Sequence, residues 1–314
     1  SVGLDSKLQE LATFFETKLK NSEKSVLKEL ESLSDVVTDL DAKQFILNPG
    51  KTLIQVGDGP SSEPVELDDL VHCQLGEILQ TLTARTHDGW PLNVWLHGAS
   101  GGGKTTLNTH IGQSLKTRSR VISMGPTYTE AKLLGYRNLA TGDYMIGEIV
   151  DFYENGGVIM LDECDRTDSQ VLVSSNALTS NKSFLFPDGK VRTRSKGFYC
   201  VASGNTLGTG STMGYRANVL DASTLDRFVP IELRYDTDLE MRISAPHLDW
   251  CKWIHKVRDK LDQMCCPAIM GTRNIVHGVA QLNHGISKST IVDRTLARIP
   301  SDIAKTIKQD CPFS

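Results

Sequence analysis

Gly98-Ala99-Ser100-Gly101-Gly102-Gly103-Lys104-Thr105 decides the reading of this chain. It is a complete G-x-x-x-x-G-K-[ST] loop. Leu92 to His97 ahead of it is a short, mostly apolar strand, and Thr105 to Leu115 behind it reads as a helix. In that strand–loop–helix setting the motif is a phosphate cradle. The glycines let successive backbone N–H groups face one concavity, and the following helix adds the positive end of its dipole. Lys104 can reach the β- and γ-phosphates of a nucleotide, the Thr105 hydroxyl can hold Mg²⁺, and Thr106 belongs to the same loop. An ordinary glycine-rich turn would explain the glycines, but not the lysine, the hydroxyl and both flanking elements together.

The second half of the site is Val158-Ile159-Met160-Leu161-Asp162-Glu163. Four apolar residues suit a strand buried on both faces, as parallel sheets are. Two carboxylates then stand at its C-terminal end, where open α/β sheets bind ligands. Asp162 is placed to hold the Mg²⁺ shell, and Glu163 to orient or deprotonate an attacking water. Phosphoanhydride hydrolysis is mostly positioning and charge neutralisation, so these groups suffice for a nucleotide hydrolase.

A length of 314 residues predicts two or three domains with a sizeable core. The net charge of −4 gives no global attraction to nucleic acid or anionic membrane, so any such binding needs a local patch. No apolar run approaches the ~18 residues of a membrane span, and the start of the chain shows no signal-peptide pattern. The seven cysteines are odd in number and form no C-x-x-C pair, which predicts reduced thiols and a cytoplasmic setting. Cys251, His255, Cys265 and Cys266 are poorly spaced for zinc and are expected in core packing or at the surface.

Residues 1–45 read as a helical or coiled-coil extension. Leu4, Leu8, Leu11, Phe15 and Leu19, then Val26, Leu30, Leu33, Val37 and Leu40, fall at helical steps with a break around Lys20 to Ser25. A nucleotide-binding core is expected over 46–235, with a short strand at Thr52 to Val56 and a helix over Val65 to Arg85. A helical domain follows over 236–314, where Trp250, Trp253, Ile254, Val257, Leu261 and Met264 share one face. The fold class is α/β, a parallel sheet flanked by helices.

After the acidic strand, Phe198 to Ser203 is another apolar strand, ending in Gly204-Asn205-Thr206. Leu225-Asp226-Arg227-Phe228 and Gly271-Thr272-Arg273 come later. The order of loop, Asp-Glu, strand-tip Asn, Arg-Phe and late Arg resembles the AAA+ ATPases over roughly residues 60 to 300. The resemblance implies ATP and Mg²⁺ as ligands, a C-terminal helical lid, and a homo-oligomer, favourably a hexamer. It also implies Asn205 as first sensor, Arg227 as the arginine finger given to a neighbouring subunit, and Arg273 as second sensor. Small GTPases would need an Asn-Lys-x-Asp guanine reader and ABC ATPases their signature motif; both are absent from the sequence.

Leu133 to Gly147, with Thr141-Gly142-Asp143 as a turn, reads as a hairpin interrupting a helix. A second hairpin is expected from Ser183-Phe184-Leu185-Phe186 through Pro187-Asp188-Gly189 to Lys190–Arg194. Both resemble inserts of the MoxR and dynein-related branch, most of all the cobaltochelatase ATPase subunit and its phage-encoded relatives, although the first insert here is short. That resemblance implies work on an external partner protein. The alternative is a nucleic-acid motor, for which Lys190, Arg192, Arg194 and Lys196 would contact phosphates, with Phe184 and Phe186 as limited stacking surfaces.

Overall fold

Short apolar runs alternate with amphipathic helices along the chain, the pattern that builds a parallel sheet sandwiched between helices. The computed structural model of the protein describes residues 42–48, 51–56, 65–67 and 70–313, the first two stretches by their backbone alone. Strands β1 (Ala42–Asn48), β2 (Lys51–Val56) and β3 (Val65–Leu67) form an antiparallel sheet. β1 departs from the sequence reading: Ala42–Phe45, placed there in the helical extension, pair with Leu53–Val56. Two β-prone runs on either side of Asn48-Pro49-Gly50 favour a hairpin over helix. The seam of residues 4–40 lies outside the described residues.

The expected helix over Val65 to Arg85 also divides. Val65–Leu67 is strand, and helix α1 spans only Leu75–Thr83. Leu75, Ile78, Leu79 and Leu82 carry the helical spacing and are buried, whereas Val65–Leu67 lies outside that period and pairs with β2. β4 (Val94–His97) then leads into α2 (Lys104–Ser114), followed by β5 (Ser119–Ser123). α3 (Glu130–Leu134) and α4 (Val150–Asn155) flank an antiparallel hairpin of β6 (Gly135–Arg137) and β7 (Tyr144–Ile146). β8 (Gly157–Asp162) runs through a 3-10 turn at Cys164–Arg166 into α5 (Ser169–Ser180). A second hairpin, β9 (Ser183–Leu185) with β10 (Val191–Thr193), precedes β11 (Phe198–Gly204), α6 (Ala222–Leu225) and β12 (Val229–Glu232).

The main sheet has the order β12-β4-β11-β8-β5, with every neighbouring pair parallel. Its two faces can be read from alternate residues. Val94, Leu96, Val158, Met160 and Val201 pack with α1 and with Leu107 and Ile111 of α2. Trp95, Ile159, Leu161, Cys200 and Ala202 pack on the opposite side with Leu133, Tyr153, Leu172 and Leu178. This is an α/β fold with helices on both faces of a parallel sheet. All strand C-termini therefore open at one end, where three loops converge.

Beyond the sheet come α7 (Thr237–Ser244), α8 (Leu248–Gln263), α9 (Thr272–Asn283), α10 (Lys288–Leu296) and α11 (Ser301–Asp310). They enclose a core of their own around stacked Trp250 and Trp253, with Ile254, Val257, Ile275 and Ile291. These helices nonetheless pack with the sheet, and residues 42–314 form one compact unit.

Candidate active site

The loop after β4 is shaped by what it cannot avoid. At Gly98 (φ 145°) a Cβ would collide with the Leu233 carbonyl, so only glycine lets the backbone turn there. The turn aims Lys104, the first residue of α2, back under the loop. Its ammonium donates to the carbonyls of Gly98 (2.7 Å) and Ala99 (3.1 Å) and to Asn205 Oδ1 (3.2 Å). All three acceptors are neutral. Burial holds the Lys104 ammonium below its ordinary pKa, while the nearby Asp162 and Asp165 carboxylates pull the other way. A largely buried cation with no ion pair, facing a helix N-terminus, suits an anionic ligand.

Asp162 ends β8 and is held from two sides. Ser203 Oγ (2.5 Å) and the Glu163 N–H (2.9 Å) donate to its Oδ1. The Thr105 hydroxyl donates to its Oδ2 at 3.0 Å. A carboxylate and a hydroxyl at the tips of β8 and α2 form an oxygen donor pair of the kind hard divalent cations take, so the residues fit Mg²⁺. Glu163 follows in the left-handed region (φ 59°), and Arg166 stands 3.8 Å from its Oε1. Asn205 is fixed by a residue with no part in the sequence motifs. Asp165 is buried, and its Oδ2 accepts from the Asn205 N–H (2.9 Å), the Thr206 N–H (2.9 Å) and the Thr206 hydroxyl (3.1 Å).

These groups line one cleft of about 410 Å³, within the range of small-ligand sites. Ser100 to Thr106, Asp162, Glu163 and Asn205 form one wall. Leu239, Ile243, Thr272, Arg273 and Val276 of the C-terminal helices line the cleft as well. Arg273 packs directly on the loop, since a Cβ on Gly101 would meet Arg273 Cβ at 3.4 Å. Its side chain is exposed to the cleft and makes no hydrogen bond or ion pair among the described residues. Gly98 and Ala99 lie beneath, contributing carbonyls to Lys104.

Residues 93–228 match the AAA domain family, dynein-related subfamily. An 80-residue stretch is 36% identical to Lon protease of Porphyromonas gingivalis, covering 24% of this chain and 9% of that relative. The fold is similar to a RuvB variant of Thermotoga maritima (17% identity, 70% of this chain and 62% of that one, TM-score 0.42). It is also similar to a putative ATPase of Cytophaga hutchinsonii (18% identity, 77% and 82%, TM-score 0.41). The AAA match begins one residue before β4 and ends at Phe228, so it takes in every loop and strand-tip residue above except those of the C-terminal helices.

Within the matched stretch, Arg227 lies away from the cleft. It precedes β12, whose first residue pairs with Val94, and its carbonyl accepts from Asn93 Nδ2 at 3.0 Å. That is the N-terminal edge of the sheet, a strand length of ~13 Å from the phosphate loop. Its guanidinium donates to the Ser223 carbonyl, and its Nε is buried without a partner.

The basic cluster is corrected by the structure. Arg194 is buried, donating to the Thr179 carbonyl (2.8 Å) beside the rings of Trp90 and Phe198. Arg192 is bonded by both terminal nitrogens to Asp188 (2.8 and 2.6 Å) and lies 3.2 Å from Glu154. Lys196 donates to the Asp88 carbonyl and sits 3.6 Å above the Trp90 ring. Phe186 is buried against Tyr153. Of these four cations, Lys190 is exposed, whereas Arg192, Arg194 and Lys196 are each engaged by neighbouring groups.

The Cys251, His255, Cys265 and Cys266 set is not a metal cluster among the described residues. Cys251 and Cys266 are buried, Cys265 is exposed, and His255 bonds Glu240 at 2.8 Å. His72, Cys73 and Asp236 do converge. However, both His72 ring nitrogens and both Asp236 oxygens are engaged by backbone groups, which ties the start of α1 to the start of α7. Sequence reasoning missed Asp165, Ser203, Tyr215 and Tyr235. The last two clamp the Ser100 peptide, one phenol accepting from its N–H (2.9 Å) and the other donating to its carbonyl (3.3 Å). Only the Asp-x-x-Asp at the end of β8 carried a sequence signal, a second carboxylate in the turn.

Proposed function

We propose that this chain is an ATP-hydrolysing AAA+ remodelling ATPase of the MoxR and dynein-related kind, working as a ring or spiral oligomer, with a hexamer favoured, on an external partner protein. The observation that carries the ATPase reading is Lys104: a buried ammonium with only neutral partners, beside the Asp162–Thr105 oxygen pair. Lys104 and Arg273 both supply positive charge to the cleft. Mg²⁺, held through Thr105 and Asp162, would neutralise charge on the phosphates. Glu163 orients the attacking water and accepts its proton, while Asn205, braced by Asp165, bonds the water or the outer phosphate. Arg227 faces away from its own cleft and serves a neighbour's.

Both expected hairpins are present, which supports the MoxR-like reading and a cobaltochelatase-like partner arrangement. The burial of Arg194 and the ion pairing of Arg192 with Asp188 and Glu154 favour a protein partner over a nucleic-acid track. Unpaired cysteines suit a cytoplasmic setting. Among the described residues, no helix is long and apolar enough to cross a membrane.

The test separates binding from chemistry. Lys104→Ala should abolish binding of a fluorescent ATP analogue, because the phosphates lose their buried counter-charge. Glu163→Gln should bind it as wild type does and release phosphate at least ~10²-fold more slowly. Wild-type turnover in the Gln variant would remove Glu163 from the mechanism.

A further inference from the structure

Glu240, on α7, is 1% exposed, yet it is a carboxylate. Four donors surround it. Arg258 gives two hydrogen bonds (2.8 and 3.1 Å), His255 one (2.8 Å) and the Thr272 hydroxyl one (2.6 Å). Burial alone would raise its pKa, but the bonds from Arg258 and Thr272 hold it below the usual carboxylate range. Such a group is stable only as a fully satisfied unit, so its neighbours are fixed in place with it.

The neighbours lead to the cleft by two routes. Thr272 is the residue before Arg273, at the first turn of α9. Arg258 lies 3.8 Å from the Tyr235 ring centre, donates to the Met270 carbonyl (2.9 Å), and so braces the tyrosine whose hydroxyl bonds Ser100. Between the routes sits Gly271, where a Cβ would approach the Ser100 carbonyl to 2.7 Å and the Tyr235 hydroxyl to 2.9 Å. The Asn274 side chain accepts from the Gly271 N–H (3.2 Å) and closes the turn. Gly271 thus lies against the phosphate loop, and the Thr272 hydroxyl anchors the turn to the Glu240 carboxylate.

We infer that Glu240 and Thr272 are positioning residues that set the Arg273 guanidinium toward the outer phosphates of the nucleotide. The inference rests on the ATPase reading above. Without the Thr272–Glu240 bond the first turn of α9 can rotate on the loop, and Arg273 loses the fixed start from which its long side chain reaches across. A displacement near 1 Å is enough to cost ten- to hundredfold in rate.

The test is a double-mutant cycle, read in kcat, KM and the affinity of a fluorescent ATP analogue. Thr272→Val keeps shape and removes the donor, so it should reproduce the direction of the Arg273→Ala change in each quantity, with about a tenfold loss in kcat. Thr272→Ser should restore wild-type values. Thr272→Val combined with Arg273→Ala should be no worse than Arg273→Ala alone, because both remove the same contact. Glu240→Gln, where it folds, should match Thr272→Val. Effects that multiply, a silent Thr272→Val beside an impaired Arg273→Ala, or a silent Arg273→Ala would each overturn the inference. If wild type binds nucleotide but never hydrolyses it, the ATPase reading fails. The same cycle is then decided on analogue affinity alone.

Discussion

At the scale of single residues, the site depends on groups that hold other groups. Asp165 shows this most clearly: its Oδ2 gathers two backbone N–H groups and one hydroxyl at the tip of β11, leaving Asn205 aimed at Lys104. Asp165→Ala would strand those buried donors, at about 1–3 kcal/mol for the group left most desolvated. Turnover should fall with it as Asn205 loses its bearing. Asp165→Asn keeps an acceptor oxygen and should recover most of the stability, measured by chemical denaturation, and part of the rate. Loss of stability with full retention of kcat would confine Asp165 to a structural role. Lys104, Thr105, Asp162 and Glu163 were legible in the sequence because their chemistry needs fixed spacing along two loops. Asp165, Ser203 and Tyr215 were not, because each acts across the sheet end on a partner about 40 to 115 positions away. No local pattern encodes such a pairing.

Elements tell the same story at larger size. The strands of the sheet could be read from apolar runs, since a strand buried on both faces has no polar side to disguise it. The two hairpins could be read from their Gly-containing turns. What the sequence did not show was the destination of the second hairpin's charges. Alternation along Lys190–Arg194 suggested a basic edge, whereas Arg194 turns inward to the end of α5 and Arg192 folds back on Asp188. Arg194→Ala should therefore destabilise the fold by about 2 kcal/mol, through a cavity and the loss of a charged hydrogen bond to the Thr179 carbonyl, which keeps only Asn93 as donor. Lys190→Ala should stay within ~0.5 kcal/mol of wild type, as exposed substitutions do. Single-stranded DNA should not stimulate phosphate release by the wild type. Salt-sensitive DNA binding that raises turnover, and that Lys190→Ala removes, would restore the nucleic-acid reading. The β1 and β3 strands were misread for a simpler reason: short runs beside helical periods were read as part of those helices, although pairing with β2 makes them strands.

For the whole molecule, the position of Arg227 is the observation on which the proposed assembly rests. The parallel sheet puts the loops that line the cleft at one end and Arg227 at the other, so in the proposed assembly Arg227 would serve a neighbouring copy's cleft as its arginine finger. A guanidinium brought to the transferring phosphate is worth ~10³-fold or more in rate. The most direct measurement is phosphate release from mixed oligomers. Arg227→Ala alone should bind ATP with little turnover, and Lys104→Ala alone should neither bind nor turn over. Mixed in one assembly, the two should regain measurable activity, because some interfaces unite an intact loop with an intact arginine. Assemblies shown to contain both variants but without any recovery would contradict the shared site.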